Sequence, residues 1–155
     1  MTSSPEVNAR RAELERTAPV VPRSAWKRAR LGEDEVFFLC GTIGSEFDTW
    51  QRRLAALSAA DALLSQRIGL DAVEKVMDEL ESKLRDEVAA EGLRLLPRRS
   101  PGYGDLPLSL SRRIIAELDA ARRIGVSITA SDLLVPSKSV TAICRISKSH
   151  VANLI

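Results

Sequence analysis

The residues of this chain best suited to chemistry lie together in Arg98-Arg99-Ser100-Pro101-Gly102-Tyr103-Gly104-Asp105. Arg98 and Arg99 offer planar donor forks that match a carboxylate or a phosphate. Gly102 and Gly104 permit positive φ and leave bare backbone that a ligand can approach. Tyr103 adds a ring face and a hydroxyl. Pro101 fixes its own φ and biases Ser100 toward an extended backbone. The same residues also suit an ordinary helix-to-helix turn with solvated arginines, and local chemistry alone leaves both readings open.

Other chemistries are poorly supplied. The one histidine, His150, lies in the C-terminal tail, so no Ser-His-Asp or Cys-His site is expected. Cys40 and Cys144 each sit in an apolar, strand-like run and read as buried free thiols. They are too few and too far apart for a zinc site or a three-cysteine radical cluster. A glycine-rich dinucleotide fingerprint is absent. The expectation is a chain with no catalytic residue of its own and no metal site.

Length and composition set the frame. At 155 residues, with 45% hydrophobic and 28% charged residues, the chain reads as one globular domain with a real core. The net charge of +2 is too small by itself to argue for nucleic acid or a membrane surface as partner, and neither is expected. Charge is uneven: residues 1–31 carry seven Lys/Arg against three Asp/Glu. The start, MTSSPEVNARRAELER, has no apolar core and no run is long enough to span a bilayer, so a cytoplasmic protein is expected.

The elements that must position the loop follow from periodicity. Residues 1–32 read as a basic, partly flexible arm, with Trp26 packed on the body, ahead of a domain over 33–155. Glu35–Cys40 reads as a buried strand, followed by the Gly41-Thr42-Ile43-Gly44 turn, where a close backbone contact is favoured over a ligand. Asp48 is expected to cap a helix carrying Trp50, Leu54, Leu57 and Leu64. The amphipathic pattern continues through Val73, Met77, Leu80, Leu84 and Val88, with Gly69 either a break or a crossing point. Asp71-x-x-Glu74 has the form of a capping box. Glu91-Gly92 should stop the helix. A helix from about Leu110 to Arg123 should present Ile114, Ile115 and Leu118 inward, with Arg112, Arg113, Arg122 and Arg123 solvated. A short strand at Val126–Thr129 and a period-2 strand at Ser139–Ile146 complete an α+β fold. The expected architecture is a mainly antiparallel twisted sheet with flanking helices, placed on one side and at the edge.

Two longer stretches are more specific than any one residue. RRSPGYGDLPLSL from Arg98 and RIGVSITASDLLVPSKSVTAI from Arg123 together resemble the activation domain of vitamin B12-dependent methionine synthase and the stand-alone proteins built from it. The resemblance covers roughly residues 33–146. It implies an S-adenosylmethionine-binding accessory protein for reductive methylation of cob(II)alamin. The cobalamin would be held by a separate methionine synthase or related corrinoid protein, with a flavodoxin-like electron donor. The chain would then act as part of a methyltransferase system by positioning and electrostatics. Residue by residue, the resemblance gives Arg98 the methionine carboxylate, Ser100 a backbone contact, Gly102 and Tyr103 the sulfonium end, and Glu74 the amino group. Ala130 stands where the family has an acid, and Tyr103 is the single tyrosine, so a second family tyrosine has no counterpart. The usual Asp-x-His-x-x-Gly cobalamin motif fails around His150, where Lys148 and Asn153 stand. An alternative therefore follows: a module that docks on a corrinoid protein without binding cofactor independently. A generic S-adenosylmethionine enzyme acting on another acceptor is a third class, and it lacks a visible catalytic group.

Overall fold

A computed structural model describes residues 4–148. Strands β1 (Arg23–Leu31) and β2 (Asp34–Thr42) form a hairpin paired over nine residues. Their two-residue loop begins at Gly32, where φ is +63°, a conformation that tight hairpin loops demand and glycine supplies. Helices α2 (Ser45–Leu57) and α3 (Ala59–Ala89) follow. The short strand β3 (Arg94–Leu95), the Arg98 loop, and helices α4 (Leu110–Leu118) and α5 (Ala120–Ile124) come next. A small β4 (Ser127–Ile128)–β5 (Leu134–Val135) hairpin leads into β6 (Ser139–Ser147). The main sheet has the order β1-β2-β6-β3 and is antiparallel throughout.

The sheet is covered on both faces. On one, Ala25, Val36, Phe38, Cys40 and Ile143 pack against Ile114, Leu118 and Ile124 of α4 and α5. On the other, Phe37, Leu39, Ala142 and Cys144 meet Met77, Leu80, Leu84 and Val88 of α3. A third cluster, Leu14, Ile43, Phe47, Ile68 and Val73, ties the start of α2 and the middle of α3 to an N-terminal helix, α1 (Pro5–Thr17). Each fully buried aliphatic or aromatic side chain contributes about 1.5–3 kcal/mol relative to exposure, so these layers rather than helix propensity hold the fold. Burial pushes both thiols, Cys40 and Cys144, up to about 12, and they are free.

The α+β class, the antiparallel sheet and the flanking helices agree with the sequence expectation. Several local expectations do not. Helices lie on both sheet faces, because β6 buries Thr141 and Ile143 as well as Ala142 and Cys144. The stretch read as an arm contains β1, a full edge strand, and α1, whose Arg10 and Arg11 pair with Asp61 and Asp71 of α3. Trp26 does pack on the body, under the Lys83 ammonium at 3.9 Å. The α2–α3 break falls at Ser58, whose hydroxyl caps α3 through the Asp61 amide. Gly69 is the crossing point instead: a Cβ there would sit 2.7 Å from the Phe47 ring and 2.9 Å from Lys138 Cε. Asp48 lies inside the first turn of α2 and accepts from the Ser137 amide and hydroxyl rather than capping. Asp71 and Glu74 lie mid-helix in α3, so they form no capping box. The helix after Ser109 divides at Asp119, which is left-handed at φ +52°. Gly41 is the expected close contact, with Met77 Sδ 2.6 Å from its would-be Cβ. His150 lies outside the described residues.

Candidate functional site at the β3 edge

The site is built on an irregularity in the fourth strand. Leu95 pairs with Ile146, yet Arg99 pairs with Ile143: four steps on one chain against three on the other. One extra residue is therefore bulged out between them. The Leu96 amide donates to the Arg145 carbonyl at 2.9 Å, and Arg99 exchanges two backbone bonds with Ile143 at 2.8 and 2.9 Å. Pro97 lies between these anchor points and has no amide to lose. A one-residue slip reverses which face a side chain takes. Arg98 is thereby sent to the α3 face and Arg99 to the α4 face.

On its face, Arg98 meets three acids of α3. Its Nη2 donates to Glu74 at 2.5 Å, and its Nη1 to Asp78 at 2.7 Å and Glu81 at 3.0 Å. Residues 74, 78 and 81 follow i, i+4, i+7 spacing, which aligns them on one helical stripe. Burial opposes the charge on Arg98, but hydrogen bonds with Asp78 and Glu74 outweigh it and hold its pKa above the ordinary arginine value. Exposure divides the three acids: Glu81 is 14% exposed, whereas Glu74 is 54% and Asp78 69% exposed. Glu81 also accepts from Arg85 at 2.6 Å. Three carboxylates against the guanidiniums of Arg98 and Arg85 leave this patch one negative charge in excess.

On the opposite face Arg99 pairs with Asp105, and the hydrogen bond from Arg99 holds the Asp105 carboxyl below the usual carboxylate range. The loop between them is a compact ring of backbone bonds. Tyr103 donates to the Ser100 carbonyl, Leu106 to that of Tyr103, and Gly102 to that of Leu106. Gly102 sits at φ +90° and Gly104 at φ +62°. Tyr103 is 74% exposed. Arg98, Arg99, Ser100, Tyr103 and Gly104 line an open cleft of about 410 Å³. That volume falls in the range of small-molecule sites, about 300–1,000 Å³.

Of the residues singled out from the sequence, Arg98, Ser100 and Tyr103 line the cleft, and Glu74 is bonded to Arg98 across 24 positions of chain. Gly102 shapes the loop without lining the cleft. Asp78 and Glu81 were missed, although their spacing from Glu74 was the available signal. Among the described residues no cluster of His, Cys, Asp or Glu is arranged to hold a metal ion, and no helix is long and apolar enough to cross a membrane.

No family model and no curated protein matches this sequence. The fold is that of a known class of domain: an α+β unit with an antiparallel four-stranded sheet and flanking helices. One solved structure to which this chain is similar is the MetH reactivation domain, in a crystal structure with AdoHcy bound, with a TM-score of 0.68 at 15% sequence identity. The match covers 90% of this chain and 63% of that one, so this chain spans less than two thirds of the solved domain.

Proposed function

We propose that the cleft beside Arg98 binds S-adenosylmethionine. In this reading the chain is an accessory protein for reductive methylation of cob(II)alamin carried by a separate cobalamin-dependent methionine synthase or related corrinoid protein, with a flavodoxin-like protein as electron donor. The observation that carries the reading is the Arg98–Glu74 ion pair, whose arginine lines the open cleft with Ser100, Tyr103 and Gly104. The similar fold of a domain whose structure holds AdoHcy supports it.

The amino-acid end of such a ligand carries one carboxylate and one ammonium. Arg98 and Glu74 are the complementary charges, already in contact. The ligand enters by exchange: its carboxylate takes the Arg98 fork and its ammonium takes Glu74, so each side chain trades one opposite charge for another. The exchange is inexpensive, because an exposed ion pair contributes about 0–1 kcal/mol. Glu81, the least exposed acid, stays behind Arg98 and holds its orientation. The negative excess of the patch and the Tyr103 ring face both favour the sulfonium cation. Ser100 and Gly104 supply the approach of backbone to ligand. Bound S-adenosylmethionine supplies an electrophilic methyl group; the residues of this chain bind and orient it.

One observation favours a second reading. Arg98 already holds three carboxylates, so a module that docks on a corrinoid protein without independent cofactor binding also fits. Calorimetric titration of S-adenosylmethionine and S-adenosylhomocysteine separates the two, using the native chain, Arg98→Ala and Tyr103→Ala. The Tyr103 side chain is mostly exposed, so that variant folds normally. Saturable binding to the native chain that both variants weaken supports the cofactor site. Absence of binding at millimolar ligand overturns it in favour of the docking module.

A further inference from the structure

The far edge of the sheet carries features that cofactor binding does not use. β1 ends the strand order, and among the described residues no backbone hydrogen bond reaches it from outside the β1–β2 ladder. Arg113 donates to the Arg30 carbonyl at 2.8 Å, which closes one end and leaves Arg23–Ala29 open. An unpaired edge is a template for another strand. Its side chains are four cations and no acid in RSAWKRARL.

The two faces of β1 are committed differently. Toward α3, Arg28 is held by Glu91 at 2.6 Å and the Trp26 ring stands between two clefts. One, of about 350 Å³, is mainly apolar through Pro22, Trp26, Val76 and Leu80, with Ser24, Glu79 and Lys83 as polar lining. The other, of about 240 Å³, is mostly polar, with Arg28, Glu87 and Glu91 beside Trp26 and Phe37. Toward α4 and α5 lie Ala25, which is buried, and the exposed cations Arg23 and Lys27, four positions apart. Alternate residues of an added strand would therefore meet the mainly apolar cleft of Trp26, Val76 and Leu80 on one side and cationic charge on the other.

We propose that β1 is a docking edge for an extended segment of another protein that alternates apolar and acidic residues. The segment adds as a fifth strand. Its backbone pairs with Arg23–Ala29, an apolar side chain enters the cleft between Trp26 and Leu80, and its acids meet Arg23 and Lys27. This division, with backbone bonds giving affinity and alternate pockets giving selectivity, is the general logic of strand addition. A second copy of this chain is disfavoured as the occupant: antiparallel pairing centred on Lys27 sets that ammonium against its own twin, and like charges directly opposite each other destabilise a sheet.

The test is a fluorescence-anisotropy titration with a labelled, capped peptide of about eight alternating valines and glutamates, a typical strand length. Two control peptides replace glutamate by lysine or N-methylate alternate amides. The native chain is expected to bind the valine–glutamate peptide saturably. Binding should weaken by about tenfold with the lysine peptide and with the Lys27→Glu variant, and disappear with the N-methylated peptide. Lys27 is exposed, so its reversal leaves the fold intact. Absence of saturable binding overturns the proposal. So does binding indifferent to N-methylation, which reports charge alone. A concentration-dependent dimer in sedimentation that Lys27→Glu strengthens or abolishes would give the edge to a second copy and also overturn it. None of these readouts depends on Arg98 or on S-adenosylmethionine.

Discussion

The two edges of the sheet are held by different physics. At the β1 edge nine consecutive residues keep register with β2, and backbone hydrogen bonds define the strand. At the β3 edge two regular pairs give way to a bulge, and charged side chains take over: Arg98 on the α3 acids, Arg99 on Asp105. A regular ladder fixes backbone and leaves side chains in strict alternation. A bulged edge gives up a ladder bond and gains the freedom to aim neighbouring arginines at chosen targets. Charged side chains and the open cleft concentrate where the ladder fails. Strand addition requires the opposite, an edge that stays regular.

The largest expected effect comes from removing the charge that organises the bulged edge. Arg98→Ala leaves Glu74, Asp78 and Glu81 facing one another, with Glu81 largely buried, and should destabilise by about 1–3 kcal/mol in urea unfolding. Adding Glu81→Gln should recover part of that loss, because it lowers the negative excess that Arg85 alone cannot balance. If Arg98→Ala costs nothing, backbone pairing alone holds this edge and the contrast fails.

A smaller effect compares glycines at the two edges. Gly32→Ala meets no atom within 4 Å and pays only for its positive φ, about 1 kcal/mol. Gly102→Ala pays for φ +90° and also approaches Leu108 Cδ1 at 3.3 Å, so it should cost more, about 1–2 kcal/mol. Thermal unfolding of the two variants gives the order directly, and a larger loss at Gly32 would reverse the comparison.

The smallest effect is electrostatic. The Asp105 carboxyl is held below its ordinary pKa by Arg99, so its contribution is present above the unfolded carboxylate pKa of about 3.9. That contribution is lost as pH falls through the lower folded value. Relative to the intrinsic rate at each pH, hydrogen exchange at the Gly102 and Leu106 amides should therefore speed up in acid, and in molar salt, which screens Arg99 from Asp105. Amides paired within β1 and β2 should be unaffected. Equal acceleration at both edges would remove the distinction.

Much of this was legible in the sequence, and the failures have physical causes. β2 announced itself because Val36-Phe37-Phe38-Leu39-Cys40 is continuously apolar. The same run also signals burial on both faces, which the period-2 pattern of β6 obscured: Thr141 and Ile143 lie under α4, with the Ser111 hydroxyl on Thr141. β1 was hidden because arginines and a lysine mask its period of two, and Pro19 and Pro22 made the region look like an arm. Gly69 was ambiguous because a missing side chain looks the same whether it ends a helix or admits a neighbour. The loop at Arg98 was visible from residue types alone. Its acidic partners needed the helix drawn first, since only in three dimensions do residues 74, 78 and 81 face residue 98.

The two cysteines occupy opposite sides of the same central ladder. Cys40 stands opposite Thr141 under α4, and Cys144 stands opposite Phe37 under α3. Both are sealed and hard to ionise in the native state. Each thiol thus works as a separate clock for its own layer. If the helical layers detach together, a thiol reagent labels both sulfurs at one rate. If α3 lifts while α4 stays, Cys144 runs ahead of Cys40, and the native chain, with no engineered probe, reports how cooperative its sandwich is.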